Sequence, residues 1–172
     1  MNNIKSILSR YIFLLLIGLF ALSVFYEVFR PLTIYPVYYL LKIFFYASLN
    51  SNVIFIGIPI EIIDACVAGS AYFLLLILNL SVPNIRLKKR IIIIAFAFLL
   101  FLIINVIRIF SLSLLAVSGS SLFDIAHLIF WYAISIAFVV GIWFVEVKLF
   151  KIKEIPLYSD LKFLSEKSLF KK

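Results

Sequence analysis

The stretch IIIIAFAFLLFLIINVIRIFSLSLLAV, residues 91–117, carries a single charge, Arg108, in 27 residues. A helix needs about 20 apolar residues to cross a hydrocarbon core. This stretch exceeds that length. It begins directly after the cationic turn SVPNIRLKKR and stops at the turn SGSS, so it predicts a transmembrane helix bounded on both sides. The rest of the chain is of the same kind, 66% hydrophobic and 14% charged. Soluble domains run nearer half apolar and a quarter charged. With 172 residues there is room for one compact bundle and no second domain.

Three further stretches read as spans, near residues 11–28, 65–82 and 126–147. The first follows Lys5 and Arg10 and resembles a signal peptide, but its apolar part is long for one. Its small-x-small pair, Ala21 and Ser23, lies inside the apolar run, so an uncleaved signal-anchor helix is expected. Region 31–64 has two readings. YPVYYLLKIFFYASL is aromatic, short and interrupted by Lys42, and NVIFIGIPIEII is β-branched with Gly57 and Pro59 opposing a regular helix. An interfacial helix followed by a short extended segment fits these features; so does a tight helical hairpin through the membrane. The expected fold class is an all-α integral membrane protein, a bundle of about four to six transmembrane helices with that short segment before the cysteine helix. Residues 1–150 form one transmembrane domain. In residues 151–172, Leu157, Leu161 and Leu164 fall at helical spacing among mixed charges, which predicts an amphipathic basic tail at the membrane surface.

Charge sets the expected orientation. Placing the N-terminus, the 81–90 turn and the tail on one side gathers 13 of the 16 cations there. Arg30 and Lys42 stay on the other side, and Arg108 falls within a span. The positive-inside rule makes the cation-rich side cytoplasmic, so both termini are expected in the cytoplasm of a multi-pass cell-membrane protein. Topology explains the net charge of +8, and with no folded basic domain to present it, nucleic acid is not an expected partner.

Within this topology three residues meet at one depth. Cys66, the only cysteine, opens a span running inward from the outer face. Arg108 lies 18 residues beyond Arg90 on a span running outward, a rise of roughly 27 Å and close to the outer edge of the core. His127, the only histidine, opens the last span, again at the outer face. Taken singly, each has a plain explanation. A lone cysteine fills core space, an arginine near a span end snorkels to headgroups, and a histidine at a helix start is an interfacial polar group. Together they point to a site, because an arginine in apolar surroundings costs several kcal/mol unless paired or wet. Asn105 lies one turn before Arg108 on the same face. Asp124, three before His127, could hold the imidazole, or act only as the N-cap of the last span.

These residue types suit thiol chemistry. An ordinary thiol is mostly protonated at pH 7. An imidazole can take its proton, and a guanidinium can stabilise a thiolate or an oxyanion. The small residues Gly69 and Ser70, with the neighbouring alanines, would admit a second helix or a substrate backbone. One cysteine excludes an intramolecular disulfide, and with one histidine a zinc or iron centre is not expected; no cofactor is required.

With these residues in place, the chain resembles the archaeosortase/exosortase family of membrane transpeptidases, and within it the short archaeal pacearchaeosortases. The resemblance rests on DACVAGSAY around Cys66, on NVIRI from Asn105 to Ile109, and on His127 opening a later span, within residues 61–130. The family pattern places a small residue and then glycine directly after the cysteine, whereas Val67 and Ala68 precede Gly69 here. The resemblance implies that Cys66, Arg108 and His127 are catalytic. It implies exported proteins bearing a C-terminal transmembrane sorting signal as substrates, a thioacyl intermediate at the extracytoplasmic face, and a membrane lipid as acceptor. Two alternatives fit the same hydropathy: a non-catalytic scaffold or transport-assembly subunit, and a membrane hydrolase or acyltransferase using the same thiol.

Overall fold

A computed structural model describes residues 4–83, 85–130 and 135–152, with side chains described outside 4–11, 13–21 and 135. Most of this backbone is helical. Helix α1, Ile4–Phe44, runs through Pro31 and Pro36. Each proline removes one backbone donor from the ladder. Apolar surroundings tolerate such breaks better than water does, because an unwound backbone would leave further polar groups unsatisfied. The helix therefore does not stop near residue 28, and residues 31–44 are its continuation rather than a separate interfacial helix or half of a hairpin. Its inward stripe is Phe29, Thr33, Val37 and Leu41, buried at four-residue spacing, whereas Val24, Val28, Leu32 and Tyr39 are exposed on the opposite side.

After α1 the chain forms a three-stranded antiparallel meander: β1 Ser48–Asn50, β2 Val53–Phe55 and β3 Pro59–Glu61, in the order β1-β2-β3. The first turn places Ser51 at φ 56°, and the second places Gly57 at φ 85°, where the lack of a Cβ removes the strain. Ile54, Ile56 and Ile62 turn inward and are buried, which explains the β-branched composition of this stretch. The extended segment is thus a small sheet seated against the bundle.

Helix α2, Asp64–Val67, and helix α3, Gly69–Ser81, are separated by Ala68 alone, which adopts a left-handed conformation at φ 58°, ψ 43°. Helix α4, Leu87–Val117, is the long apolar run. Helices α5, Leu122–Ile129, and α6, Ser135–Phe150, follow. Two of these segments, Asp64–Ser81 and Leu87–Val117, are long and apolar enough to cross a membrane. The expected tail falls almost wholly outside the described residues.

Aromatic rings hold α1, α3 and α4 together. Tyr72 stacks on Phe29 with ring centroids 3.6 Å apart, and Phe101 meets Tyr72 edge-on at 4.8 Å. Phe98 stands perpendicular to both Phe29 and Tyr72, with ring centroids 5.6 Å apart. At one end of the bundle Arg90 donates to the last carbonyls of α3 and the residue beyond: Asn79 O at 3.2 Å, Leu80 O at 2.7 Å and Val82 O at 2.8 Å. It is a side-chain cap that also complements the helix C-terminus. Lys89 Nζ donates to Phe150 O at 2.7 Å, bringing the end of α6 to the same level.

Near this end, Asn79 Nδ2 donates to both carboxylate oxygens of the fully buried Glu146, at 3.3 and 3.1 Å, and to Leu75 O at 3.0 Å. A buried acid that loses its donor incurs the desolvation penalty uncompensated. Asn79→Leu is expected to destabilise the bundle by about 1–3 kcal/mol, and adding Glu146→Leu to it should recover most of the loss. Thermal unfolding of the single and double variants in the same detergent measures both.

Candidate active site

The site is built around the break at Ala68. An uninterrupted helix would supply N–H partners for the carbonyls of Cys66 and Val67 from the next turn. Here the left-handed residue turns the chain, and the Ala71 N–H goes to Ala68 O instead, at 2.9 Å. Two side chains of α4 donate to the carbonyls left behind. Asn105 Nδ2 reaches Cys66 O at 3.0 Å and Val67 O at 3.3 Å, and Arg108 Nη2 reaches Cys66 O at 3.1 Å. Both side chains are buried. The one-turn spacing of Asn105 and Arg108 is what lets them serve a single broken turn of a neighbouring helix.

Two further contacts fix the cysteine turn. Arg30 Nη2 of α1 donates to Asp64 Oδ1 at 2.5 Å, tying the first residue of α2 to α1. Gly69 lies against the ring of Tyr26: a Cβ placed there would stand 2.8 Å from Cε1 and 2.9 Å from Cδ1. Glycine at this position is therefore a condition of close packing between α1 and α3.

Beside the cysteine turn is a cavity of about 560 Å³, whose lining includes Cys66, Arg108 and His127. That volume suits a small peptide segment or a drug-sized molecule. Cys66 comes from α2, Arg108 from α4 and His127 from α5, so the three residues that the sequence places at one depth share one hollow. Ser70 also lines it. His127 stacks parallel to Phe123, one turn earlier on α5, at 5.6 Å and an interplanar angle of 6°.

The other expected residues lie elsewhere. Asn105 sits behind the cysteine as a backbone ligand, and Gly69 is covered by Tyr26. Asp124 is exposed and does not line the cavity. Because α5 starts at Leu122, Ser121 takes the cap position and Asp124 falls in the first turn, where its charge complements the helix N-terminus. The N-cap expectation for Asp124 is corrected accordingly.

Sequence reasoning missed several lining residues. Residues Ile58 to Ile62, running through β3, form one wall and carry Glu61 to the rim; Asn52 Nδ2 donates to Glu61 Oε1 at 3.1 Å. Ser113 also lines the cavity, but its hydroxyl donates back to Ile109 O at 2.9 Å. Glu61 was visible as one of two acids before the cysteine. Nothing in the sequence signalled that β3 would fold alongside it.

No protein-family model, curated protein or solved structure matches the chain.

Proposed function

We propose that this protein is a multi-pass membrane cysteine transpeptidase of the archaeosortase/exosortase type, acting on polypeptide at the extracytoplasmic face. The observation that carries the reading is the shared cavity: a thiol, a guanidinium and an imidazole from three helices, beside a strand. In the proposed reaction His127 takes the Cys66 thiol proton as sulfur attacks a peptide carbonyl carbon. Arg108 stabilises the oxyanion, and the C–N bond breaks as His127 returns the proton to the leaving amine. The thioacyl group on Cys66 then passes to a nucleophile, a lipid hydroxyl or amine in this reading, and the thiol is regenerated. Substrates are exported proteins with a C-terminal transmembrane sorting signal. Four to six spans with cytoplasmic termini belong to the same proposal, and the orientation rests on the cation distribution.

The competing reading, a non-catalytic membrane scaffold, draws on one specific observation. The bonds that Asn105 and Arg108 make to Cys66 end on its backbone carbonyl, where they satisfy a broken helix whatever the side chain at 66. The two readings part on the thiol. Protein isolated from native membranes is expected to carry a hydroxylamine-labile peptidyl adduct on Cys66, identified by mass, and Cys66→Ala to carry none while substrate accumulates with its C-terminal segment attached. Intact processing by Cys66→Ala would end the transpeptidase reading and leave the scaffold.

A further inference from the structure

Strand β3 lies at the edge of the meander, and no fourth strand pairs with it among the described residues. Its pairing shows which backbone groups face outward. Ile62 N–H donates to Asn52 O at 2.9 Å and Ile56 N–H to Ile58 O at 3.1 Å, so even-numbered positions of β3 exchange bonds with β2. In an antiparallel ladder, bonded and non-bonded pairs alternate. The pairs Val53↔Glu61 and Phe55↔Pro59 are therefore non-bonded, and residues 59 and 61 direct their backbone groups away from β2. The outward set is small: the Pro59 carbonyl, the Glu61 N–H and the Glu61 carbonyl. Proline at 59 costs the β2–β3 ladder nothing, because its missing N–H would have pointed outward.

The same strand forms one wall of the Cys66 cavity, with the five residues from Ile58 to Ile62 spanning roughly 15 Å at the usual strand rise. Beyond Cys66 itself, the facing lining includes Ala65, Ala68 and Ala71, which leave room for a main chain. We propose that β3 is a docking edge for an extended segment of polypeptide, which adds to the meander as a fourth strand and runs past the Cys66 thiol. This assignment rests on the transpeptidase reading for the fate of the peptide, not for its docking. A strand of either direction would use all three outward groups, and the limited set restricts the register. Recognition through the main chain also leaves the side chains of the bound segment to be read by the cavity.

The test compares two alkylating probes of Cys66 in the full chain reconstituted in lipid nanodiscs. Acetyl-tetraalanyl chloromethyl ketone presents an extended backbone; chloroacetone presents none. In both, the thiolate displaces chloride and leaves a thioether. The peptidyl probe is expected to react about tenfold faster than chloroacetone, the low-end effect of three backbone hydrogen bonds. Glu61→Pro removes one of the three outward groups, the N–H, and should at least halve the preference, whereas Glu61→Gln and Glu61→Ala keep the N–H and should retain it. If Glu61→Pro also slows chloroacetone, the wild-type protein decides through probes N-methylated at each alanine in turn. At least one of these should show at most half the preference. Equal rates for the two wild-type probes, or a preference untouched by both Glu61→Pro and every N-methyl probe, overturn the proposal. The rate ratio can be read at a thiol of ordinary reactivity, so failure of the transpeptidase reading would show separately, as a slow chloroacetone rate.

Discussion

Arg108→Leu is expected to lower acylation of Cys66 by a peptidyl p-nitrophenyl ester by about 100- to 1000-fold, the loss typical of one oxyanion donor. The guanidinium holds the Cys66 carbonyl at 3.1 Å and also lines the cavity, so one group both supports the broken turn and borders the hollow that Cys66 lines. Arg108→Lys restores charge without the planar fork of donors, and it should recover only a small part of the rate. That comparison separates chemistry from support. Asn105 still holds the Cys66 and Val67 carbonyls in both variants, so unfolding should shift far less than the rate does. Acylation followed by intact mass, alongside thermal unfolding, gives both readouts. Equal rates for wild type and Arg108→Leu would reduce Arg108 to a structural ligand.

Gly69→Val should have the largest effect on the bundle itself. The added Cβ would fall 2.8 Å from Tyr26 Cε1, and a ring packed between helices has little freedom to withdraw. Overpacking of this kind typically costs about 1–3 kcal/mol. It would also push α1 away from the turn that carries Cys66, so the thiol should lose its setting along with the stability. Tyr26→Ala in the Gly69→Val background should restore much of the melting temperature by vacating the space. Absence of rescue would mean that the two residues are not in contact.

Composition and helical rise made part of the fold and of the site legible in the sequence. The run at 91–117 fixed a long apolar helix, and counting from Arg90 placed Arg108 near the depth of Cys66 and His127. All three line the cavity. The reading of Asn105 as a polar neighbour of Arg108 identified the right face but not its partner, since the carbonyls it holds exist only because Ala68 breaks the helix. An alanine gives no warning of a left-handed residue, which glycine would have done. The continuation of α1 to Phe44 was hidden by Lys42, which interrupts a short aromatic stretch, although the helix runs through it and through Pro31 and Pro36. The meander was visible only as β-branched residues around Gly57 and Pro59; its pairing is set by contacts between neighbouring segments and by burial of Ile54 against the bundle. Asp124 keeps the spacing from His127 that the sequence shows, and the first turn of α5 holds it exposed and outside the cavity.

The most direct test of the central claim is the labelling of Cys66, the chain's only thiol, by a membrane-impermeant maleimide in sealed vesicles of known orientation. An accessible cavity at the extracytoplasmic face predicts labelling without detergent when that face is outward, and none when it faces the lumen. Labelling only from the cytoplasmic side, or only after detergent is added, would contradict the shared outer site and with it the transpeptidase.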